Sequence, residues 1–399
     1  MTVSDTPLKV FIIVGEESGD QLGAALMRGL KEKSARPLAF QGVGGDRMAR
    51  EGLASLFSLH DIAVMGATAV IGKLPTILRR LRQTVAAVLA ADPDVLVIID
   101  APDFTHRVAR RVRKTRPDLP IVDYVSPSVW AWRPGRARAM TAYVDHLLAI
   151  LPFEPEVHRR LGGPPTTYVG HPLVERLDKL RPAEGERPAL AEAQAPVLLV
   201  LPGSRRGELE RMLEGFGEAI ARIRQAFGKP LEIVLPAVPH LADEIRERTR
   251  SWPVQPTIVV GEEEKFAAFR RAHAALAASG TVTLELGLAG VPMVVAYVLD
   301  PIYRQINRLR RIFPNISQID TMVLTNIVIG EKVVPEYLDK EVTPQALAAA
   351  VLPLLSDSPE RRRQIAAFDR LDAAMQLGGG ERPSDRAART VLDVVARAF

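Results

Sequence analysis

Cysteine is missing altogether from the 399 residues. That absence excludes a disulfide framework, thiolate metal sites and a cysteine nucleophile. Long apolar runs are missing too: nothing approaches the roughly 18 residues that span a bilayer. Met1 to Leu8 is polar and carries no secretory signal, so the expected setting is the cytosol. Neither a Gly-Lys-Ser/Thr phosphate loop nor a GxGxxG fingerprint is present. The seven histidines stand singly, and no Asp-x-Asp loop is suited to a divalent ion, so neither metal nor cofactor is expected. There is no short-period repeat and no low-complexity tract.

What is present is an ordinary globular composition, 47% hydrophobic and 25% charged. The length exceeds what one core usually supports, so two domains are expected. The net charge of +5 is carried by arginine in clusters: Arg79, Arg80 and Arg82; Arg133, Arg136 and Arg138; Arg304, Arg308, Arg310 and Arg311. These favour an anionic partner. No basic stripe is interleaved with aromatics, which argues against nucleic acid.

The most informative stretch is Pro93 to Phe104. Five apolar residues, Val95 to Ile99, end abruptly at Asp100-Ala101-Pro102-Asp103. An unbroken run suits a parallel strand covered on both faces, and Pro102 stops the ladder. Ligands of open α/β sheets bind at the carboxyl ends of strands, where Asp100 and Asp103 fall. A catalytic acid and a helix N-cap both fit Asp103 at this point. Elsewhere strand-to-helix alternation occurs in two runs, beginning at Val10–Val14 and again at Val197–Leu201. The domains are expected at 1–178 and 197–375, joined by a Pro- and Gly-rich linker at 179–196. Residues 376–399 would be a last helix free to pack back on the first domain.

Two Gly turns in the second half suit anions. Gly203-Ser204-Arg205, with Arg206 beside it, sits between a strand and a helix, where backbone N–H groups and a guanidinium can meet a phosphate. Gly280, Thr281 and Thr283 form a second such turn, with Glu285 one turn on, suited to a ribose hydroxyl. In the first half, Ser126-Pro127-Ser128-Val129-Trp130-Ala131-Trp132 holds two of the three tryptophans on a loop after a strand, a position that favours a ligand wall. Val64, Met65, Val70 and Ile71, ahead of Arg79, Arg80 and Arg82, suit an interfacial patch as well as a buried element.

Together, Asp100–Phe104, Tyr124–Trp132, Leu201–Arg205 and Leu324-Thr325-Asn326 resemble the lipid-A-disaccharide synthase family, as do Gly15–Asp20 and Gly170-His171-Pro172. The resemblance covers residues 9 to 385. It implies a GT-B fold, two doubly wound Rossmann-like domains facing a central crevice, with C-terminal helices. The implied reaction joins UDP-2,3-diacylglucosamine to the 6-hydroxyl of 2,3-diacylglucosamine 1-phosphate, with inversion and release of UDP. On the family's pattern Asp103 is the general base and Arg205 the diphosphate clamp, though Arg206 leaves open which arginine reaches the phosphates. Glu17, Ser18, Asp100, Ser126, Ser128, Trp130, Trp132 and Asn326 would line the site. The acylated substrates imply peripheral attachment to an anionic inner-membrane surface, and a homodimer is compatible with the pattern. The competing reading is another GT-B enzyme of UDP-sugars, such as a 2-epimerase, which would lack both the Trp block and the 64–71 patch.

Overall fold

The computed structural model describes residues 6–62, 67–299 and 321–398, with the side chains of 67–72 outside the description. The chain forms two compact units, one taking residues through Val174 and again from Gln376, the other the stretch between. Unit 1 holds β1 (Leu8–Val14), α1 (Glu17–Lys33), β2 (Leu38–Val43), α2 (Asp46–Arg50), α3 (Ala67–Ala91), β3 (Val95–Ile99), α4 (Pro102–Thr115), β4 (Ile121–Tyr124), α5 (Gly135–Met140), β5 (His146–Ala149), α6 (Glu154–Arg160) and β6 (Thr166–Tyr168). Unit 2 opens with α7 (Leu177–Leu180) and β7 (Val197–Leu201). It continues through α8 (Arg206–Phe227), β8 (Glu232–Ala237), α9 (Ala242–Thr249), β9 (Thr257–Val260), α10 (Glu262–Arg271), β10 (Ala274–Ala278), α11 (Val282–Leu288) and β11 (Met293–Tyr297). It closes with α12 (Leu324–Ile329), β12 (Glu336–Leu338), α13 (Pro344–Val351) and α14 (Pro359–Met375), before α15 (Pro383–Ala398) returns to unit 1.

Each unit is built on a six-stranded sheet, ordered β2-β1-β3-β4-β5-β6 in unit 1 and β12-β11-β10-β7-β8-β9 in unit 2. Every pairing is parallel. Burial on both faces explains the unbroken apolar strands. In β3, Val95, Val97 and Ile99 join the layer of α1 and α15, whereas Leu96 and Ile98 join that of α3 and α4. The strand order reverses between β1 and β3 in one sheet and between β7 and β10 in the other. Ligands of such sheets bind at these reversals, outside the strands' carboxyl ends.

Three details differ from the expectations. The Gly-rich turn at Gly42–Gly45 serves Asp20, whose buried carboxylate accepts from the backbone N–H groups of Gly45, Arg47 and Met48 at 2.7, 2.9 and 3.1 Å. A Cβ on Gly45 would lie 2.7 Å from that carboxylate. The 179–196 segment, a flexible linker by composition, belongs to unit 2 and is strapped to it. Arg187 donates to Phe269 O at 2.8 Å and to Arg270, Ala289 and Gly290 O at 3.0 Å each. Arg181 pairs with Asp372 at 2.7 Å. Finally, of the patch residues, Val64 and Met65 lie outside the described residues, as do the side chains of Val70 and Ile71 and the whole of Arg304 to Arg311.

Candidate active site

At the β1/β3 reversal the backbone is tightly packed and strained. A Cβ on Gly15 would sit 2.1 Å from Ala101 Cβ, so only glycine lets the two turns pass. Asp100 (φ 55°) and Ala101 (φ 43°) are both left-handed, and the β-branched Val125 at the end of neighbouring β4 has φ 81°. Such residues cost about 1–3 kcal/mol each and cluster where geometry serves function. The two aspartates then part company. Asp100 spends one oxygen on Ala101 N at 2.7 Å and the other on Ser18 Oγ at 3.0 Å. Asp103, in the first turn of α4 behind Pro102 at N1, keeps its side chain 87% exposed, with Arg136 Nη2 3.5 Å from Oδ1. Glu17 is exposed beside Ser18.

Beneath Asp103 lies a buried polar chain that the sequence did not reveal. His106, one turn along α4, places Nε2 3.0 Å from Asp123 Oδ2 and Nδ1 3.0 Å from Tyr143 Oη, to which Arg110 donates at 3.1 Å. Burial pushes the Asp123 carboxyl above its usual range, with His106 opposing the rise.

The loop after β4 divides its residues. Ser128 is exposed and Trp132 half-buried, with the Arg133 guanidinium 5.2 Å from the Trp132 ring. Ser126 and Trp130 instead turn inward, to His158 Nε2 (2.8 Å) and Glu154 Oε1 (3.2 Å). Burial pushes Glu154 up to about 7 and pulls His158 down to about 4. The four-residue spacing of Glu154 and His158, one face of a helix, was the available signal for both.

In unit 2 the two expected anion turns flank the β7/β10 reversal, and much of their hydrogen bonding is spoken for. The N–H groups of Ser204 and Arg205 point at the buried carboxylate of Glu208, at 3.1 and 3.3 Å. Gly203 (φ 120°) makes this possible, since a Cβ there would lie 2.5 Å from Glu208 Cβ. Arg206 is drawn to Glu244 at 3.0 Å, whereas Arg205 is largely exposed and only 3.5 Å from Glu208. At the other turn Gly280 (φ 154°) and Thr281 are exposed, while Thr283 is buried and donates to Gly280 O. Both oxygens of Glu285 accept from Lys265 at 3.0 Å, so this carboxylate is not the bare ribose acceptor expected. Asn326 departs further from the expected lining role. It is 2% exposed and spends its amide on the backbone of Val333 and Val334. Among the described residues no three His, Asp or Glu gather as a metal site.

A family profile described as Lipid-A-disaccharide synthetase matches residues 10–388. The chain is 54% identical to a lipid-A-disaccharide synthase of Nitrobacter hamburgensis over 99% of its own length and 97% of that protein's. It is 55% identical to one of Bradyrhizobium diazoefficiens, covering 97% of each. Among solved structures it resembles a putative UDP-N-acetylglucosamine 2-epimerase from Listeria monocytogenes, with TM-score 0.61, 15% identity and coverage of 99% and 97%. At that identity the likeness speaks for the fold.

Proposed function

The chain belongs to the lipid-A-disaccharide synthase family, and from that premise we propose how its residues share the reaction. It is a UDP-sugar glycosyltransferase of GT-B fold that makes the lipid A disaccharide. The donor is UDP-2,3-diacylglucosamine and the acceptor 2,3-diacylglucosamine 1-phosphate. The acceptor 6-hydroxyl oxygen attacks the anomeric carbon as its proton passes to Asp103. The bond to UDP breaks on the opposite face, inverting the centre, and the electron pair leaves with the diphosphate. Asp103 suits the base because it is exposed and leaves an oxygen free for a hydroxyl, whereas both oxygens of Asp100 are engaged. That contrast is the observation that carries the assignment. Asp100 and Ser18 brace the strained turn from which α4 starts.

On the donor side Arg205 meets the developing charge of the leaving UDP, since Arg206 is held by Glu244. Electrostatic stabilisation of this kind acts on rate as well as binding. The contact is made by the guanidinium, because Glu208 already fills the backbone cradle. Gly280 and Thr281 line the same edge, and Glu285 acts as one half of the pair with Lys265.

Membrane attachment is peripheral. No helix among the described residues is long and apolar enough to cross a membrane. Leu74 (44% exposed) and Leu78 (36%) form one stripe of α3, with Arg79 and Arg82 exposed alongside. Arg80 turns inward instead, to Asp61 at 2.6 Å and over the Phe57 ring. The deciding assay measures UDP release from the two acylated sugars. Asp103→Asn should lower turnover roughly 10²–10⁴-fold with UDP affinity unchanged. A loss confined to Asp100→Asn would reverse the two aspartates. Turnover of the UDP-sugar without an acceptor would point to an epimerase instead.

A further inference from the structure

The loop that follows β4 cannot hold its own shape. Val125 enters it at φ 81° and Arg133 leaves it at φ 52°, conformations that L-residues keep only when their surroundings impose them. Here the surroundings are one short helix. Glu154 at the start of α6 accepts from Trp130 Nε1 at 3.2 Å through Oε1, and from Leu151 N at 3.0 Å through Oε2. Phe153 meets the Trp130 ring edge-on, 5.5 Å between centroids at 84°. One turn further, His158 Nε2 is 2.8 Å from Ser126 Oγ. The Ser126 hydroxyl donates to Pro127 O at 2.9 Å, so the imidazole must be the donor of the pair. His158 is therefore neutral and protonated at Nε2, which accounts for its buried Nδ1 having no partner.

We propose that Glu154 and His158 are positioning residues of the transfer. From α6 they lock the Ser126–Arg133 loop into the single shape that offers Ser128 and Trp132 to the acceptor. Trp130 is then the anchor of the loop and Trp132 its working face. A buried carboxyl and imidazole are costly means of packing a helix, and apolar side chains of similar size would do so at lower cost. Their polar atoms are instead aimed at three points, all on the loop or at the turn that starts α6. Trp130 and Ser126 are bound at two sites four residues apart, which fixes both the position and the twist of the segment between them.

The inference rests on the reading that this loop handles the acceptor. Its test is steady-state kinetics with the acylated donor and acceptor varied separately, on the parent, Glu154→Gln, Trp130→Phe and the double variant. Gln can accept from only one of the two N–H groups, and Phe keeps the ring against Phe153 while removing the donor. Each single change should lower kcat/KM for the acceptor about 10–100-fold, the scale of a misplacement of about 1 Å. Donor KM should stay within about twofold of the parent. The double variant should be no worse than the weaker single, because the two changes break one contact. His158→Gln, whose amide can still donate to Ser126, should keep more activity than His158→Ala. Equal losses for donor and acceptor, additive losses in the double variant, or a Glu154→Gln enzyme within about twofold of the parent would overturn the proposal. If Glu154→Gln does not fold, Trp130→Phe alone decides on the same criteria. A parent that releases no UDP from these substrates would refute the functional reading, whereas active variants of an active parent refute only the positioning role.

Discussion

Replacing Arg187 by methionine tests whether the segment at 179–196 is a strap. Its guanidinium reaches carbonyls just inside or beyond the ends of two helices, Phe269 and Arg270 of α10, and Ala289 and Gly290 after α11. Helix C-termini carry unsatisfied carbonyls and partial negative charge, so one cation between two of them serves both. Hydrogen bonds from a charged group contribute about 1.5–3 kcal/mol each, which sets the gross gain from four near 6 kcal/mol at the low end. Against this stands burial, which pulls the Arg187 pKa from 12.5 to about 10. At 1.36 kcal/mol per pKa unit that fall corresponds to about 3 kcal/mol, and the residue remains charged at neutral pH. The net is about 3 kcal/mol, all lost in Arg187→Met, while Arg187→Lys, with charge but no fork, should lose about half. Urea unfolding followed by Trp252, with Trp130 and Trp132 replaced by Phe, reports on unit 2 alone. With a slope of about 2–3 kcal/mol per molar for a domain of this size, the midpoint should fall by about 1 M. A shift below about 0.3 M would mean that the segment lies on unit 2 without holding it.

The other expectations concern charge and surface. Arg205→Ala should lower turnover and weaken UDP binding, while Arg206→Ala should do neither strongly; the reverse order would exchange their roles. Glu154 has a folded pKa of about 7 against an ordinary 4.5. Its contribution is therefore fully present below about pH 4.5 and lost as pH rises to about 7, a change of about 3 kcal/mol. His158 and His171, both pulled down to about 4 by burial, act in the opposite sense. The measurement is thus the urea stability of the parent minus that of Glu154→Gln, which should fall as pH rises and would be flat if the carboxyl were ordinary. Leu74→Ser with Leu78→Ser should reduce binding to anionic vesicles, and the remaining attraction should vanish in high salt. Undiminished binding would remove α3 from the membrane face.

How far the sequence could be read depended on whether a residue's partner was near it in the chain. Pro102 after Val95–Ile99 placed both the strand end and the helix start, and β3 does end at Ile99 with Pro102 at N1. Periodicity and turn chemistry are local, so the strand-to-helix alternation was legible as well. Side chains that meet across elements were not. Glu285 reads as a bare acceptor until Lys265, twenty positions earlier, is seen to cover both oxygens. Glu208 reads as a helix-surface acid until Gly203 lets the backbone fold onto it. Asn326 follows the same rule, its amide spent on a loop that composition does not place. The proline-rich linker failed for a related reason, because Pro and Gly describe freedom in isolation, and Arg181 and Arg187 remove it through distant carbonyls.

The last helix fixes an order of events in synthesis. Ala387, Ala388, Val391 and Val395 of α15 complete the apolar layer on α1, and Ser384 O lies where a Cβ on Gly29 would come within 2.7 Å. Unit 2 is translated in between, so the side of α1 that receives α15 leaves the ribosome long before its cover does. About 200 residues separate Val174 from Gln376, which at about 5–20 residues per second is a delay of about 10–40 s. The domain made first is thereby finished last. Nascent chains stalled after Gln376 would display this as a protease-resistant unit 2 beside a unit 1 that is still cut, and a holdase that covers apolar surface would find its target on α1.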